Sequence, residues 1–425
     1  MAHPLLVGLD VGTTATKAVV LTPDGAEVAY GRAPTPWTTT STGAQLDARE
    51  LAAAVDEAVG EALAAAPTGW VVGTGVASMA ESGILLDRAG EPVGPVVAWH
   101  DRRDHREVDE LRDEIGTERF SATTGLPFRG QWSLTKQRWL GRHLPEIGSA
   151  VRRLGVAEWI VHHLGGEQAS EQSLASRTGW LRLADRTWWP ETLEWSGIAS
   201  SLLPPLRAPG VSWGKVRPGH AAGGAVLTVA GHDHQAAAVG VGATGIGAEL
   251  DSCGSAEALV RTVTPGLSED ALRALTEGGV TVGWHVLADR WCLLGATEGG
   301  LTLAKVLRSL GVEESDLAAL DEQALAEEPT GPAQIWRYAL QEVTEEAGGL
   351  HRLMSRLTGP ASSLIMTGGW ARSAGLREVK KQVLGDVSRS PVTEAGARGA
   401  ALLAGLAGGL YANQSEFPQL SEEPR

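Results

Sequence analysis

The sequence predicts an α/β protein of two or three domains, one of which repeats another. Short apolar or β-branched segments alternate with helical ones along the chain, the pattern of a layered α/β architecture. Two turns, at residues 10–14 and 251–256, each combine Asp, Gly and Ser or Thr next to a predicted strand. The chain has 425 residues, whereas one domain typically has about 150. We therefore expect a duplicated domain, with one such hairpin from each copy.

In the N-terminal half, strands are predicted where apolar or alternating segments are bounded by turn residues. These strands are at residues 5–9, 16–21, 27–31 and 70–78, with an extended stretch at 95–99. A helix is predicted over 47–66, with Asp47 as its N-cap, and a charged helix over 101–115. Residues 166–220 are rich in Gly, Ser, Pro and Trp and are expected to be irregular.

The C-terminal half repeats this alternation. A buried strand is expected at 226–230, a hairpin at 280–295 and another strand at 364–367. Helices with small or amphipathic faces are predicted at 235–242, 298–310, 373–384 and 395–406. The last dozen residues are expected to be a frayed tail.

Composition excludes several classes of protein. The chain carries 36 Lys and Arg against 51 Asp and Glu, a net charge of −15, and has no run of basic residues. Such a chain repels phosphate backbones and anionic lipid, so we expect neither a nucleic-acid nor a membrane partner. Because 43% of the residues are hydrophobic and 20% are charged, the chain is too apolar to be disordered.

The two cysteines, Cys253 and Cys292, cannot build a disulfide framework or a C-x-x-C site. The first residues lack a basic and apolar leader pattern, and apolar stretches elsewhere end before the length of about 18 that would span a bilayer. We therefore expect a protein of the reducing cytoplasm.

The loop between the first two predicted strands is suited to binding an anion. Gly12 lets backbone N–H groups approach a phosphate, and Thr13 and Thr14 add hydroxyl donors. Lys17 can neutralise phosphate charge, and Asp10 is placed to hold Mg²⁺ through water. The loop is neither a P-loop nor a dinucleotide fingerprint, since a strand rather than a helix follows it. A plain hairpin turn remains an equal alternative on these residues alone.

Two further motifs carry chemistry. Asp233 in Gly-His-Asp-His could be a general base toward a hydroxyl, although an Asp at this place is also a common helix N-cap. The flanking histidines lack a third ligand at a helpful spacing, so zinc is not expected. Gly368 and Gly369, between a strand and a helix, would let a flat ring lie against bare backbone.

These segments, taken in order, resemble the FGGY carbohydrate kinase family of the actin/Hsp70/sugar-kinase superfamily. The similar segments are Asp-x-Gly-Thr-Thr at residue 10, Gly-His-Asp-His at 231, Asp-Ser-Cys-Gly-Ser-Ala at 251 and Thr-Gly-Gly-x-x-x-Ser at 367. Between them, residues 98–103, 124–140 and 175–179 resemble further family landmarks, and the likeness extends to Leu406.

The resemblance implies two ribonuclease-H-like (actin-like ATPase) domains with an interdomain cleft that binds ATP and Mg²⁺ above a sugar. Residues 1–228 would be the N-terminal domain on the sugar side, 229–412 the C-terminal domain on the nucleotide side, and 413–425 a tail. Asp233 would be the general base and Asp10 the magnesium ligand. The residues implied to hold the phosphates are Gly12, Thr13, Thr14, Lys17, Gly254 and Ser255, and those implied to border the adenosine are Gly295, Gly368 and Gly369.

Departures from the family fall in the sugar pocket and after Gly311. Ala80-Glu81-Ser82 fits neither the glycerol kinase nor the xylulokinase pattern. The expected substrate contacts are Glu81, Trp99, Gln131, Asp233 and His234, although Glu81 could equally be a solvated carboxylate and Trp99 a core residue. A segment usual in the family is missing, and an acidic stretch at 313–328 stands there.

The expected function is ATP-dependent phosphorylation of a hydroxyl, terminal by expectation, of a small ketose or polyol. The first alternative is a catalytically degenerate sensor of sugar or nucleotide with the same fold. An Hsp70-like chaperone ATPase is the third class, and it should bring a peptide-binding domain. A homodimer is the expected assembly.

Overall fold

The protein is described by a computed structural model over residues 3–420. The strands are β1 (His3–Val11), β2 (Ala15–Leu21), β3 (Glu27–Pro34), β4 (Thr38–Thr39), β5 (Ala44–Leu46), β6 (Gly69–Ser78), β7 (Gly83–Leu86), β8 (Pro92–Val93), β9 (Val96–Val97), β10 (Arg152–Gly155), β11 (Ser170–Glu171), β12 (Leu206–Arg207), β13 (Val226–His232), β14 (Ala248–Cys253), β15 (Glu257–Val263), β16 (Thr281–Trp284), β17 (Trp291–Thr297), β18 (Ser363–Thr367) and β19 (Ser388–Arg389). The helices are α1 (Ala48–Ala65), α2 (His105–Glu114), α3 (Thr117–Thr124), α4 (Ser133–His143), α5 (Val156–His163), α6 (Gln172–Ala175), α7 (Pro190–Ser196), α8 (Asp233–Gly240), α9 (Glu269–Glu277), α10 (Gly299–Leu310), α11 (Leu317–Leu325), α12 (Pro332–Thr358), α13 (Ala374–Leu384) and α14 (Ala395–Ala407).

Two sheets share one topology, which confirms the predicted duplication. The first has the order β13-β6-β1-β2-β3, and the second has β16-β17-β15-β14-β18-β19. Each sheet contains three adjacent antiparallel strands, β1-β2-β3 in the first and β14-β15-β17 in the second. In the second sheet β16, which precedes β17 in sequence, pairs with β17 at the edge. The remaining strands continue each sheet in parallel, as β1-β6-β13 and β14-β18-β19.

The boundary expected between residues 228 and 229 falls inside β13. Because β13 pairs with β6 over residues 226–232, this whole strand belongs to the first sheet. The division of the chain into 1–228 and 229–412 remains a prediction, and the strand spans it.

The central strand β1 is buried on both faces. Leu5, Val7 and Leu9 pack in the same cluster as the apolar side of α1, whereas Leu6 packs with the small residues of α14 on the opposite face. A strand that is covered by helices on both faces has a continuous apolar sequence. For this reason residues 5–9 could be predicted as a strand. Asp47 caps α1 as predicted, with Oδ1 accepting from the backbone N–H of Arg49 at 2.7 Å.

Helices α8 and α14 join the two halves. α14 follows the second sheet in sequence but packs on β1 and β6, whereas α8 follows the first sheet and contacts β14 and β15. The two helices touch through glycine, since a Cβ on Gly399 would lie 1.8 Å from the backbone oxygen of Ala236.

We expect Gly399→Ala to lower the free energy of unfolding by about 1–3 kcal/mol, because the added methyl group meets backbone that cannot yield locally. Gly60→Ala in α1 is the matched control, since nothing lies within 4 Å of a Cβ built there. Removing a helical glycine at such a site should stabilise the protein by about 0.5–1 kcal/mol. Urea unfolding measures both variants, and equal shifts in the two would contradict the close-packed crossing.

The charged helix starts later than expected, and the acidic stretch contains a helix. The charged helix begins at His105 rather than residue 101, because the Asp101 carboxylate accepts from the backbone and side chain of Arg103 and holds a turn there. The acidic stretch after Gly311 contains α11, whose Leu317 and Leu320 are buried against α12 and α13. The acidic stretch therefore contains a helix with a buried apolar side, which its composition alone did not indicate.

The expected tail is packed over its described part. Phe417 is buried, and its ring centroid lies 5.5 Å from that of Tyr411, whose hydroxyl donates to the carbonyl of Pro23. The remainder of the predicted tail, residues 421–425, lies outside the described residues. Within residues 3–420, none of the helices combines the length and apolarity needed to cross a bilayer.

Candidate active site

A cavity of about 500 Å³ is lined by segments from both halves of the chain. Its walls come from the end of β1, the start of α8, the β14–β15 hairpin, the turn after β18 and the start of α14. The sequence-predicted residues that line it are Asp10, Lys17, Asp233, His234, Gly254, Gly368 and Gly369. Segments far apart in sequence thus converge on one cleft between the duplicated halves.

Asp10 and Asp233 are two carboxylates held in this cleft. Burial, reinforced by the charge of Asp233 and opposed by that of Lys17, raises the pKa of Asp10 to about 7. Burial likewise raises the pKa of Asp233 to about 7, with a further contribution from the charge of Glu81. Perturbed carboxylates in a cleft are typical of catalytic sites.

Asp233 is the first residue of α8, and His232 holds the N-cap position, so the alternative of an Asp N-cap does not apply. Asp233 Oδ1 accepts from the backbone N–H of His234 at 2.7 Å and lies 3.2 Å from Nε2 of His232. Burial lowers the pKa of His232 well below its usual value, so this imidazole is neutral. The side chain of Asp233 keeps 23% of its surface exposed, which leaves its carboxylate accessible to a ligand.

Asp10 fits the role of a magnesium ligand. Its Oδ1 is buried and has no hydrogen-bond partner within residues 3–420. Such an orphaned oxygen calls for a cation or ordered water, and a hard carboxylate oxygen is the donor that Mg²⁺ prefers. His232 and His234 belong to no group of three metal-binding side chains in the described part of the chain.

The first loop is held by two tryptophans. Trp37 Nε1 donates to the carbonyl of Thr13 at 2.7 Å, and Trp99 Nε1 donates to Thr13 Oγ1 at 3.0 Å. Gly12 and Thr14 complete the turn, in which the carbonyl of Gly12 accepts from Thr35 Oγ1 at 2.7 Å. The structure thus places Trp99 against the loop, in contact with a residue implied to bind phosphate.

Lys17 has a partner that the sequence did not indicate. Its Nζ lies 2.7 Å from Oε2 of Glu394, which also lines the cavity just before α14. Hydrogen bonding to Glu394 and its negative charge raise the pKa of Lys17 against the opposing effect of burial, the largest single influence. Lys17 is therefore charged but already paired.

The second hairpin and the Gly-Gly turn lie together on the far wall. Gly254 lines the cavity, and Ser255 follows it in the turn between β14 and β15. Gly368 has a φ of +96°, and a Cβ there would lie 2.5 Å from the carbonyl oxygen of Cys253. This position therefore requires glycine.

Gly295 lies elsewhere. It pairs with Leu259 inside the second sheet, where a Cβ would lie 3.0 Å from Leu350 of α12. Gly295 is not among the residues that line the cavity. The close approach of Leu350 explains why a small residue is needed at position 295. The position of Gly295 gives no support to the contact with adenosine that the resemblance implied for it.

The expected sugar side centres on Glu81. This buried residue has a φ of +65°, a strained conformation for a non-glycine residue and one that often marks functional sites. Its Oε1 accepts from Gln131 Nε2 at 3.0 Å and from Arg177 Nε at 2.7 Å. The charge of Arg177 lowers the pKa of His234, whose imidazole is kept neutral chiefly by burial.

Arg177 is a site residue that sequence reasoning missed. It appeared only as part of a family landmark, and no local pattern connects it with Glu81, 96 residues away. Its one distinguishing feature in the sequence was that it is the single charged residue among the small or polar residues at 175–179.

Comparison with known proteins adds the family context. Residues 5–240 match the sequence model of the N-terminal domain of the FGGY family of carbohydrate kinases. The chain is 32% identical over 245 residues to a xylulose kinase from Streptomyces coelicolor, covering 56% of this chain and 50% of that one. It is 28% identical over 471 residues to a glycerol kinase from Polaromonas naphthalenivorans, covering 98% of this chain and 93% of that one. The chain thus spans about half the length of the xylulose kinase and nearly all of the glycerol kinase.

Solved structures show the same fold. A xylulose kinase from Rhodospirillum rubrum superposes with a TM-score of 0.86 at 23% identity, covering 97% of this chain and 92% of that one. The Plasmodium falciparum glycerol kinase with ADP superposes with a TM-score of 0.87 at 17% identity, covering 99% and 94%. The fold is therefore that of two actin-like ATPase domains, as the family resemblance implied.

Proposed function

Because this chain belongs to the FGGY family of carbohydrate kinases, we propose that it transfers a phosphoryl group from ATP to a hydroxyl of a small sugar or polyol. The observation that carries this proposal is the position of Asp10 and Asp233 on one cavity, which is also lined by Lys17 after the first hairpin turn and by Gly254 in the second. Phosphoryl transfer needs such positioning and charge neutralisation from two sides more than covalent help.

In the proposed mechanism, Asp233 accepts the proton of the attacking hydroxyl. The hydroxyl oxygen forms a bond to the terminal phosphorus of ATP, the bond from that phosphorus to the bridging oxygen breaks, and ADP leaves. The N–H of His234 and the N-terminal end of α8 hold the Asp233 carboxylate in place and favour its charged form. The neutral His232 lies beside it, with Nε2 at 3.2 Å from Asp233 Oδ1.

Asp10 would hold Mg²⁺, which when bound neutralises charge on the phosphates. Thr13, Thr14 and the backbone at Gly12 would donate to the phosphates from the first hairpin, and Gly254 with Ser255 from the second. Lys17 would contribute its charge, shared with Glu394. Gly368 and Gly369 would border the adenosine across the cavity.

The sugar hydroxyls would face Glu81, Gln131 and His234, with Trp99 at the side of the first loop. Support comes from the buried carboxylate of Glu81 and from its charge acting on the pKa of Asp233. The matched relatives are named for xylulose, a ketose, and for glycerol, a polyol. The proposed acceptor class therefore covers both, and the cytoplasmic location and homodimer remain predictions.

One observation favours a second candidate, a sensor that binds sugar or nucleotide without turnover. Lys17 is already paired with Glu394, and Glu81 with Arg177, so two groups of the site are engaged within the protein. A kinase must open or share these contacts when its substrates bind.

The test is ADP release from ATP and Mg²⁺ across ketoses, aldoses and polyols of three to seven carbons. We expect one acceptor class to stimulate release well above the rate without acceptor. Silence across the whole panel, while a sugar still raises the melting temperature, would overturn the kinase in favour of the sensor.

A further inference from the structure

A buried carboxylate and a buried serine pack behind the start of α8. Glu171 is the N-cap residue of α6 and Ser173 lies in that helix, with 2% and 0% of their surfaces exposed. Buried polar side chains need hydrogen bonds to offset the loss of water. The hydrogen bonds of these two residues lead to Asp233.

Glu171 orients the hydroxyl group of Ser173. Its Oε2 accepts from the backbone N–H groups of Ser173 at 2.8 Å and of Leu174 at 3.0 Å. The same oxygen accepts from Ser173 Oγ. Because the hydroxyl proton is used in this bond, the lone pairs of Oγ remain free to accept. The carboxylate thus makes the Ser173 hydroxyl an acceptor for a further group.

The group that uses this acceptor belongs to His232, whose backbone N–H donates to Ser173 Oγ at 3.0 Å. His232 ends β13, which is the edge strand of the first sheet. The N–H groups on the outer side of an edge strand have no neighbouring strand to bind. Ser173 therefore supplies a hydrogen bond at a place where the first sheet does not.

The backbone at this end of β13 is irregular. The pairing of β13 with β6 shifts register just before Gly231, which has a φ of +80°. A Cβ on Gly231 would lie 2.4 Å from Ser173 Oγ and 2.9 Å from Glu171 Oε2, so both side chains pack directly on this glycine. Irregularities of this kind redirect side chains and are common next to active sites. The residues redirected here are His232 and Asp233.

His232 in turn lies against the proposed general base. Its Nε2 is 3.2 Å from Asp233 Oδ1, and its buried Nδ1 has no hydrogen-bond partner within residues 3–420. A neutral imidazole carries one proton, and Nε2 is the nitrogen that faces an acceptor, so the proton belongs on Nε2. The ring therefore restricts where the carboxylate of Asp233 can lie.

We infer that Ser173, oriented by Glu171, is a positioning residue for the proposed general base, because its hydroxyl holds the backbone N–H of His232 and thereby the carboxylate of Asp233. Ser173 is not among the residues that line the cavity, so it acts through Asp233. The inference rests on the proposed function and adds the support of its catalytic carboxylate. Such support matters because a displacement of about 1 Å can lower turnover by about 10²-fold.

Ser173→Ala tests this role, with ADP release measured on the acceptor of three to seven carbons that gives the highest wild-type rate. We expect kcat to fall by about 10-fold or more. KM for ATP and for the acceptor should change by less than about 2-fold, since the binding contacts remain. Ser173→Cys fills the same place with a weak acceptor and should also lower kcat, which gives a second reading if the alanine variant fails to fold.

Ser196→Ala is the matched control. Ser196, in α7, is also buried, and its Oγ accepts from Trp180 Nε1 at 2.9 Å, but it does not line the cavity. Each alanine change leaves one buried N–H without its acceptor, so both should lower the melting temperature. Only Ser173→Ala should lower kcat. Equal losses of kcat in the two variants would overturn the inference, because they would follow from lost stability.

A double variant tests whether the effect passes through Asp233. In Asp233→Asn the base is already lost, so adding Ser173→Ala should lower the residual kcat by less than about 2-fold. Effects that multiply in the double variant would overturn the inference, as would a near-normal kcat in Ser173→Ala. These results would leave the kinase standing. A wild-type chain that phosphorylates no acceptor would instead contradict the proposed function, and the inference with it.

Discussion

Asp233→Asn is expected to lower kcat by at least about 10²-fold, the contribution of one general base. Asparagine keeps an oxygen that can accept from the N–H of His234, so the start of α8 should be retained. What the variant loses is the ability to take the proton of the acceptor hydroxyl. Because binding contacts remain, KM values for ATP and acceptor should change much less than kcat.

Asp270→Asn is the control for this change. Asp270 lies in the first turn of α9, as Asp233 lies in that of α8, but its side chain is 92% exposed. Steady-state kinetics of the two variants should differ by the full effect on kcat. Near-normal turnover in Asp233→Asn would remove Asp233 from the mechanism.

Lys380→Met is expected to lower the free energy of unfolding by about 3–5 kcal/mol, the cost of breaking a buried ion pair by removing one partner. Lys380 Nζ contacts Asp251 and Glu257, and all three side chains are buried. Burial, with the like charge of Asp251, raises the pKa of Glu257 to about 7 even with the ammonium present. Without Lys380, two neighbouring carboxylates would face each other in the core.

The neighbouring Lys381 supplies the control, because it lies on the same helix and is exposed. Lys381→Met should change the free energy of unfolding by no more than about 0.5 kcal/mol. Adding Asp251→Asn and Glu257→Gln to Lys380→Met removes the stranded charges and should restore part of the lost stability. Urea unfolding of these variants tests the network, and equal effects of the two lysine changes would argue against it.

This network also supports the second hairpin. Asp251 and Glu257 flank the turn that contains Gly254, and Glu257 Oε2 accepts from Thr297 Oγ1 at 3.1 Å, next to the start of α10. Asp251, Cys253 and Glu257 lie close enough to form a metal-binding group, but the ammonium of Lys380 lies among them. Lys380 therefore stabilises the hairpin by pairing with the two carboxylates that flank its turn.

The strands and turns were predictable because their causes are local. Residues 5–9 and 226–230 are apolar runs of strand length, and Asp47 precedes a segment whose apolar residues recur with helical periodicity. Neighbouring residues alone therefore indicate these elements. The two hairpins showed the duplication through their shared composition. Asp10, Asp233 and the glycines of the cleft were recognised because each lies beside such an element.

The remaining features depend on contacts between distant segments. Glu81 and Arg177 meet across 96 residues, and Lys380 reaches Asp251 across 129. A single sequence contains no periodicity that links such positions. The exchange of α8 and α14 between the halves has the same character, because it depends on contacts between segments that are distant in sequence, such as the one at Gly399. Sequence therefore indicated the two sides of the cleft, and the folded chain supplied the side chains that join them.

The most direct test of phosphoryl transfer is the mass of the acceptor after incubation with ATP and Mg²⁺. We expect the acceptor to gain one phosphoryl group in amounts equal to the ADP formed, and this product to be lost in Asp233→Asn. ADP formed together with free phosphate, at a rate indifferent to every acceptor, would instead identify an ATPase and contradict the account.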